Sequence, residues 1–279
     1  MSGFFGASSP YFKLMRVRNG SIAFLAVLVG YWASSGGINL ALPGLFAASI
    51  AGLSAFLVLS GGNAINDYYD READKAAGKD RPISKGEVDA ERAAGFALML
   101  FLLGILLAGA VSLVAVVLAL IASLLLLVYS AYLKQFKYVG NVVVSVLSGL
   151  TLVFGAAVTG SFMVPLLLSF APFFATMARE VTKDLEDVLS DVGSKQSLPF
   201  LVGEEKAKAF VYAYSFGAVV FGGFYAILLK ALYLPFYFAG VLLFLLACMS
   251  VNNNLFNQAQ RLQVAAFAVI LVGYFFGLL

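Results

Sequence analysis

At 279 residues, 62% hydrophobic and 12% charged with a net charge of +3, the chain is too apolar for a soluble fold, whose charged share is about 25%. Unbroken apolar stretches such as residues 96–127 exclude a membrane barrel, whose strands alternate. With no histidine and the single Cys248, imidazole catalysis, His-ligated zinc and an intramolecular disulfide are excluded, leaving carboxylates as metal ligands and favouring Mg²⁺ or Mn²⁺.

Residues 1–10 carry no basic stretch leading into a cleavable apolar core, so no signal peptide is expected. Taking about twenty apolar residues per span, helices are predicted near 17–34, 42–63, 91–109, 111–132, 139–160, 163–183, 206–229, 233–251 and 262–279. The apolar block 91–134 is too long for one crossing and is divided at Gly109-Ala110. The expected fold is all-α: one polytopic transmembrane domain over 1–279, nine helices in a bundle.

With the N-terminus inside, seventeen of the eighteen Lys and Arg fall on inside connections and only Lys230 outside. This satisfies the positive-inside rule and puts the C-terminus outside. The acids are more confined still: eight lie between Asp67 and Glu91 and seven between Glu180 and Glu205. They fall in or next to the inside loops after spans two and six, 64–90 and 184–205, which are the expected cytoplasmic active-site loops. Spans two and six run in the same direction, so the chain is expected to contain two four-helix repeats with equivalent acidic clusters.

If span two continues as a helix, Asn63, Asp67, Asp70 and Asp74 stand at offsets of zero, four, seven and eleven and stack on one face, with Asn66 beside them. Glu180, Asp184, Asp187 and Asp191 repeat those offsets. Stripes of like charge need cations between them, and Mg²⁺ characteristically joins carboxylates to a substrate phosphate. A diphosphate is the natural partner. Arg81, held by Pro82, and Lys85, Lys183, Lys195 and Lys134 are placed to clamp phosphate oxygens, as are Arg16 and Asn19 at the entrance of span one. Tyr129 and Tyr132 could shield a carbocation with their ring faces.

Asn66-Asp67-Tyr68-Tyr69-Asp70-Arg71-Glu72-Ala73-Asp74 resembles the NDxxDxxxD signature of the UbiA superfamily of intramembrane prenyltransferases. Asp187-Val188-Leu189-Ser190-Asp191 fits its second motif, DxxxD, and Arg81-Pro82 and the Tyr129–Lys134 stretch extend the likeness. The tyrosine-to-lysine spacing is one residue longer than the usual YxxxK, so either Tyr129 or Tyr132 takes the family role. The stretch from Arg179 to Asp187, with Asp191 and Ser197-Leu198-Pro199, is similar to the archaeal digeranylgeranylglyceryl phosphate synthases.

The resemblance implies two Mg²⁺ ions held by Asn66, Asp67, Asp70 and Asp74 and by Asp184, Asp187 and Asp191, gripping an isoprenyl diphosphate. It makes Asp70, Asp187, Lys134 and the tyrosine catalytic, and Arg16, Asn19, Arg81, Lys85, Lys183 and Lys195 substrate-binding. A geranylgeranyl group would pass to a hydroxyl of geranylgeranylglyceryl phosphate, with membrane lipid as surroundings and no nucleic-acid partner. Prenylation of an aromatic acceptor would use the same donor machinery. A secondary transporter fits less well, because the acids lie at helix ends and not at the bilayer midplane.

Overall fold

A backbone inside a bilayer has no water to bond, so an apolar run must satisfy its N–H and C=O groups within itself, as a helix does. The computed structural model describes residues 9–189, 197–226 and 231–279, and every regular element among them is helical. In chain order these are α1 (Pro10–Met15), α2 (Val17–Ser34), α3 (Leu42–Ala76), α4 (Ala90–Gly109), α5 (Leu113–Ala131) and α6 (Lys137–Gly155). They continue with α7 (Met163–Glu186), α8 (Leu198–Val202), α9 (Glu204–Phe224), α10 (Leu234–Asn252) and α11 (Phe256–Leu278), with short 3₁₀ turns between.

Nine of the described helices reach 18 residues, one at each expected span. Seven of them are long and apolar enough to cross a membrane; α2 and α9 are not among the seven. Both begin with polar residues, Arg18 and Asn19 in α2 and Glu204, Glu205, Lys206 and Lys208 in α9, which lower their hydropathy. The chain is an integral membrane protein.

Several boundaries differ from expectation for identifiable reasons. The break in the 91–134 block falls at residues 110–112, where the Ser112 hydroxyl accepts from the Ala115 N–H at 3.2 Å and caps α5. Asp89 caps α4 in the same way, accepting from the Arg92 N–H at 3.1 Å. Helix α3 runs on to Ala76; at 35 residues it is about 52 Å long, well beyond a hydrocarbon core of about 30 Å. Helix α11 begins at Phe256, six residues before the predicted 262. Its polar first turns are helical because α7 receives them: Asn257 and Gln260 donate to the Glu186 carboxylate, and Gln263 Nε2 donates to Thr182 Oγ1 at 3.0 Å.

The contacts sort the chain into two compact units. The first holds α1, residues 17–28 of α2, and α3, α4 and α5. There α3 is the shared partner. Gly104 lets α4 approach closely enough for Ser54 Oγ to donate to the Gly104 carbonyl at 2.7 Å; a Cβ at that glycine would stand 2.7 Å from Val58. Close contact through small residues is how apolar helices gain packing energy in lipid, where tails compete equally for apolar surface.

The second unit holds residues 29–39 and the described residues from 133 onward. Its core gathers Ala178, Val181 and Leu185 of α7 with Leu198, Ala207, Val211, Val251 and Ala259. Within this unit Gly30 lies against the α6 backbone: a Cβ there would sit 1.9 Å from the Leu152 carbonyl oxygen. Backbone cannot yield as a side chain can, so Gly30→Ala is expected to destabilise the protein by about 3 kcal/mol. A drop in the thermal midpoint of the detergent-solubilised protein measures it; an unchanged midpoint refutes the close approach.

Candidate active site

Helix α3 carries the first acidic motif past the end of its apolar run, so all four stripe positions are α-helical, as the offsets require. The junction of α1 and α2 covers this stripe. Asn63 Nδ2 donates to the Met15 carbonyl at 3.1 Å, and the Arg16 guanidinium donates to Asp67 Oδ1 at 2.5 Å. Arg16 has φ 50 and ψ 57, a left-handed conformation costing a non-glycine residue about 1–2 kcal/mol. That conformation turns the chain between the two helices and aims the guanidinium at Asp67.

The stripe is unevenly exposed. Asp67 is 2% accessible and Asp74 is also buried, with Lys79 at 3.1 Å from its carboxylate, while Asp70 is half-buried. Asn66 Nδ2 donates to Asp70 Oδ2 at 2.9 Å, tying together two positions of the family motif. Asp67 Oδ2 is buried and has no hydrogen-bond partner among the described residues, and neither has Arg16 Nε. An unsatisfied carboxylate oxygen among oxygen donors suits a hard divalent cation. No three Asp, Glu or Cys side chains among the described residues form a ready-made metal cluster.

In the second unit α7 ends at Glu186, and Asp187–Leu189 tighten into a 3₁₀ turn. Glu180 and Asp184 are buried on α7, and Asp187 is half-buried at its C-terminal cap. Asp191 and Lys195 lie outside the described residues. Glu180 accepts from Arg179 at 2.7 Å, and Lys183 stands 3.6 Å from it. A residue that sequence reasoning missed, Asn141 on α6, donates from Nδ2 to Asp184 Oδ2 at 2.8 Å. Its only signal in the sequence is an amide within the first turns of an apolar helix. Two acids of the second cluster are engaged elsewhere, since Glu204 and Glu205 pair with the buried Lys208 at 2.9 and 3.0 Å in the first turns of α9.

The cations proposed from sequence separate into groups. Arg81 is half-buried and forms no ion pair among the described residues, yet its charge is felt at Asp67. Lys85 donates to Asp80 at 2.7 Å; this bond holds the Asp80 carboxyl below the usual carboxylate range and raises the Lys85 ammonium. Asn19 is exposed, its N–H bonded to the Arg16 carbonyl at 2.8 Å. Lys134 is half-buried in the 3₁₀ turn Leu133–Gln135. Tyr129 is half-buried on α5, whereas Tyr132 at the helix cap is 66% exposed.

Residues 23–278 match the UbiA prenyltransferase family, nearly the whole chain. The chain belongs to that family. Among similar UbiA-type proteins, the digeranylgeranylglyceryl phosphate synthase of Methanosphaera stadtmanae is 34% identical over 203 residues, 71% of each chain. A solved structure concerning digeranylgeranylglyceryl phosphate synthase in membranes has a TM-score of 0.78 at 25% identity, covering 96% of this chain and 97% of that one. A UbiA homolog from Archaeoglobus fulgidus bound to GPP and Mg²⁺ shares the fold, with a TM-score of 0.63 at 22% identity over 94% of this chain and 99% of that one. The all-α, polytopic UbiA fold expected from sequence is thus the fold of this chain, and it is a prenyltransferase.

Proposed function

We propose that this UbiA prenyltransferase transfers a geranylgeranyl group from its diphosphate to a hydroxyl of geranylgeranylglyceryl phosphate, forming the second ether bond of an archaeal lipid. The observation that carries this reading is the acid-bearing end of α3, with Asn66 tied to Asp70, the buried Asp67 gripped by Arg16, and Arg81 close by without an ion pair among the described residues. The relatives' names support the acceptor, and the Mg²⁺ and GPP of the Archaeoglobus homolog support the donor class and the ion.

Asn66, Asp67, Asp70 and Asp74 in the first motif and Asp184, Asp187 and Asp191 in the second supply oxygen ligands for two Mg²⁺ ions. When bound, Mg²⁺ offsets the charge of the diphosphate and favours its departure. Arg81 and Arg16 bind diphosphate or acceptor phosphate oxygens through N–H groups, and Lys134 adds a third cation. The allylic C1–O bond breaks with its electron pair leaving on the diphosphate. The acceptor oxygen then bonds to C1 and releases its proton to the diphosphate or to water. Tyr129, the more sheltered tyrosine, offers a ring face to the transient allylic cation and keeps water from it. The polyprenyl chains stay in the bilayer, and the charged groups lie at the inside helix ends, which the distribution of Lys and Arg assigns to the cytoplasm.

Purified protein given radiolabelled geranylgeranyl diphosphate is expected to prenylate geranylgeranylglyceryl phosphate and not 4-hydroxybenzoate. Turnover of the aromatic acceptor alone overturns the acceptor assignment. EDTA is expected to abolish turnover and added Mg²⁺ to restore it; activity that survives chelation overturns the metal reading.

A further inference from the structure

The two units hold the corresponding carboxylate in the same way but with different chemistry. Asp67 lies four residues after Asn63 and three before Asp70; Asp184 lies four residues after Glu180 and three before Asp187. Both are buried, and each accepts from a side chain at the beginning of the preceding long helix. In the first unit this is Arg16, directly before α2, and in the second Asn141, the fifth residue of α6. Asn141 is itself only 6% exposed, and its carbonyl accepts from the fully buried Ser145 hydroxyl at 2.7 Å.

We infer that Asn141 is a positioning residue for the second acidic motif, the repeat counterpart of Arg16, and that it orients Asp184 for a divalent cation without adding positive charge beside it. The inference rests on the proposal that these carboxylates take Mg²⁺. An amide has donors for one carboxylate oxygen and no charge, so it fixes the rotamer of Asp184 without itself offsetting the carboxylate's charge. A guanidinium in the same place would add positive charge beside the carboxylate, as Arg16 does at Asp67. Partners that orient a metal-binding side chain typically contribute about 10–100-fold to metal affinity.

The test is a thermal-shift titration of the detergent-solubilised full chain with Mg²⁺ at fixed inorganic pyrophosphate, read as the Mg²⁺ concentration at half-maximal shift. Asn141→Leu, close in size but without a donor, is expected to raise that concentration about tenfold. Asn141→Ser, which keeps a donor, is expected to fall between Asn141→Leu and the wild type. Ser145→Ala, one turn along the same buried face, is expected to leave it unchanged, which separates orientation from general packing. An Asn141→Leu protein with the wild-type midpoint overturns the inference, and if that variant does not fold, a wild-type midpoint in Asn141→Ser does the same. A wild-type chain with no Mg²⁺-dependent shift overturns the functional reading, and the inference falls with it.

Discussion

Asp70→Ala and Asp187→Ala are each expected to lower turnover by about a thousandfold or more, equivalent to about 4 kcal/mol of lost transition-state stabilisation. Both side chains are half-buried, whereas Asp67, Asp74 and Asp184 are covered by protein. They are therefore the most accessible of the described aspartates of the two motifs. Asn66 directs Asp70 through a 2.9 Å hydrogen bond, and Asp187 caps α7, where the helix's own carbonyl dipoles add negative potential that a cation relieves. Removing either carboxylate takes away charge at the site while opening little cavity, so the unfolding midpoint is expected to stay near that of the wild type. Turnover measured at saturating donor and Mg²⁺, alongside thermal unfolding, checks both halves. Wild-type turnover in both variants contradicts the role assigned to the motifs.

Arg16→Ala is expected to act the other way round, on stability first. It strands the Asp67 carboxylate, 2% accessible, without the guanidinium that now holds one of its oxygens. Breaking a buried pair by removing one partner costs about 3–5 kcal/mol. The Arg16 side chain is 28% exposed, so water can enter the gap and the lower end, about 3 kcal/mol, is expected. The double variant Arg16→Ala/Asp67→Asn should recover most of the loss, because the amide has no charge to desolvate. Arg16→Gly should be less damaging than Arg16→Ala, since glycine adopts φ 50 without strain. Equal midpoints for Arg16→Ala and wild type would show that the ion pair contributes nothing.

Composition alone placed the chain in the bilayer, since 62% hydrophobic residues in long runs admit only helices there. Helical periodicity showed which acids share a face, and their matched offsets made the two clusters equivalent. The split near Gly109-Ala110 was legible because bilayer thickness limits a span, whereas the continuation of α3 to Ala76 was only the condition under which the stripe spacing puts the acids on one face.

Other features depend on neighbours that lie far away in sequence. Asp67 and Asp70 are three residues apart on one helix, yet one is sealed and the other reachable, because the α1–α2 junction covers only part of the face. Lys85 looked like a phosphate ligand and is paired with Asp80. Asn141 is one amide in an apolar helix until α7 places Asp184 at 2.8 Å from it. The polar start of α11 reads as a loop until Glu186 and Thr182 receive its side chains. The sequence by itself determined the solvent, the helices and the acid stripes, because those follow from transfer energy and local periodicity. The tertiary structure alone decided which carboxylates are covered and which stay partly exposed, because a helical stripe specifies a direction around its own axis and not the neighbour that will cover it.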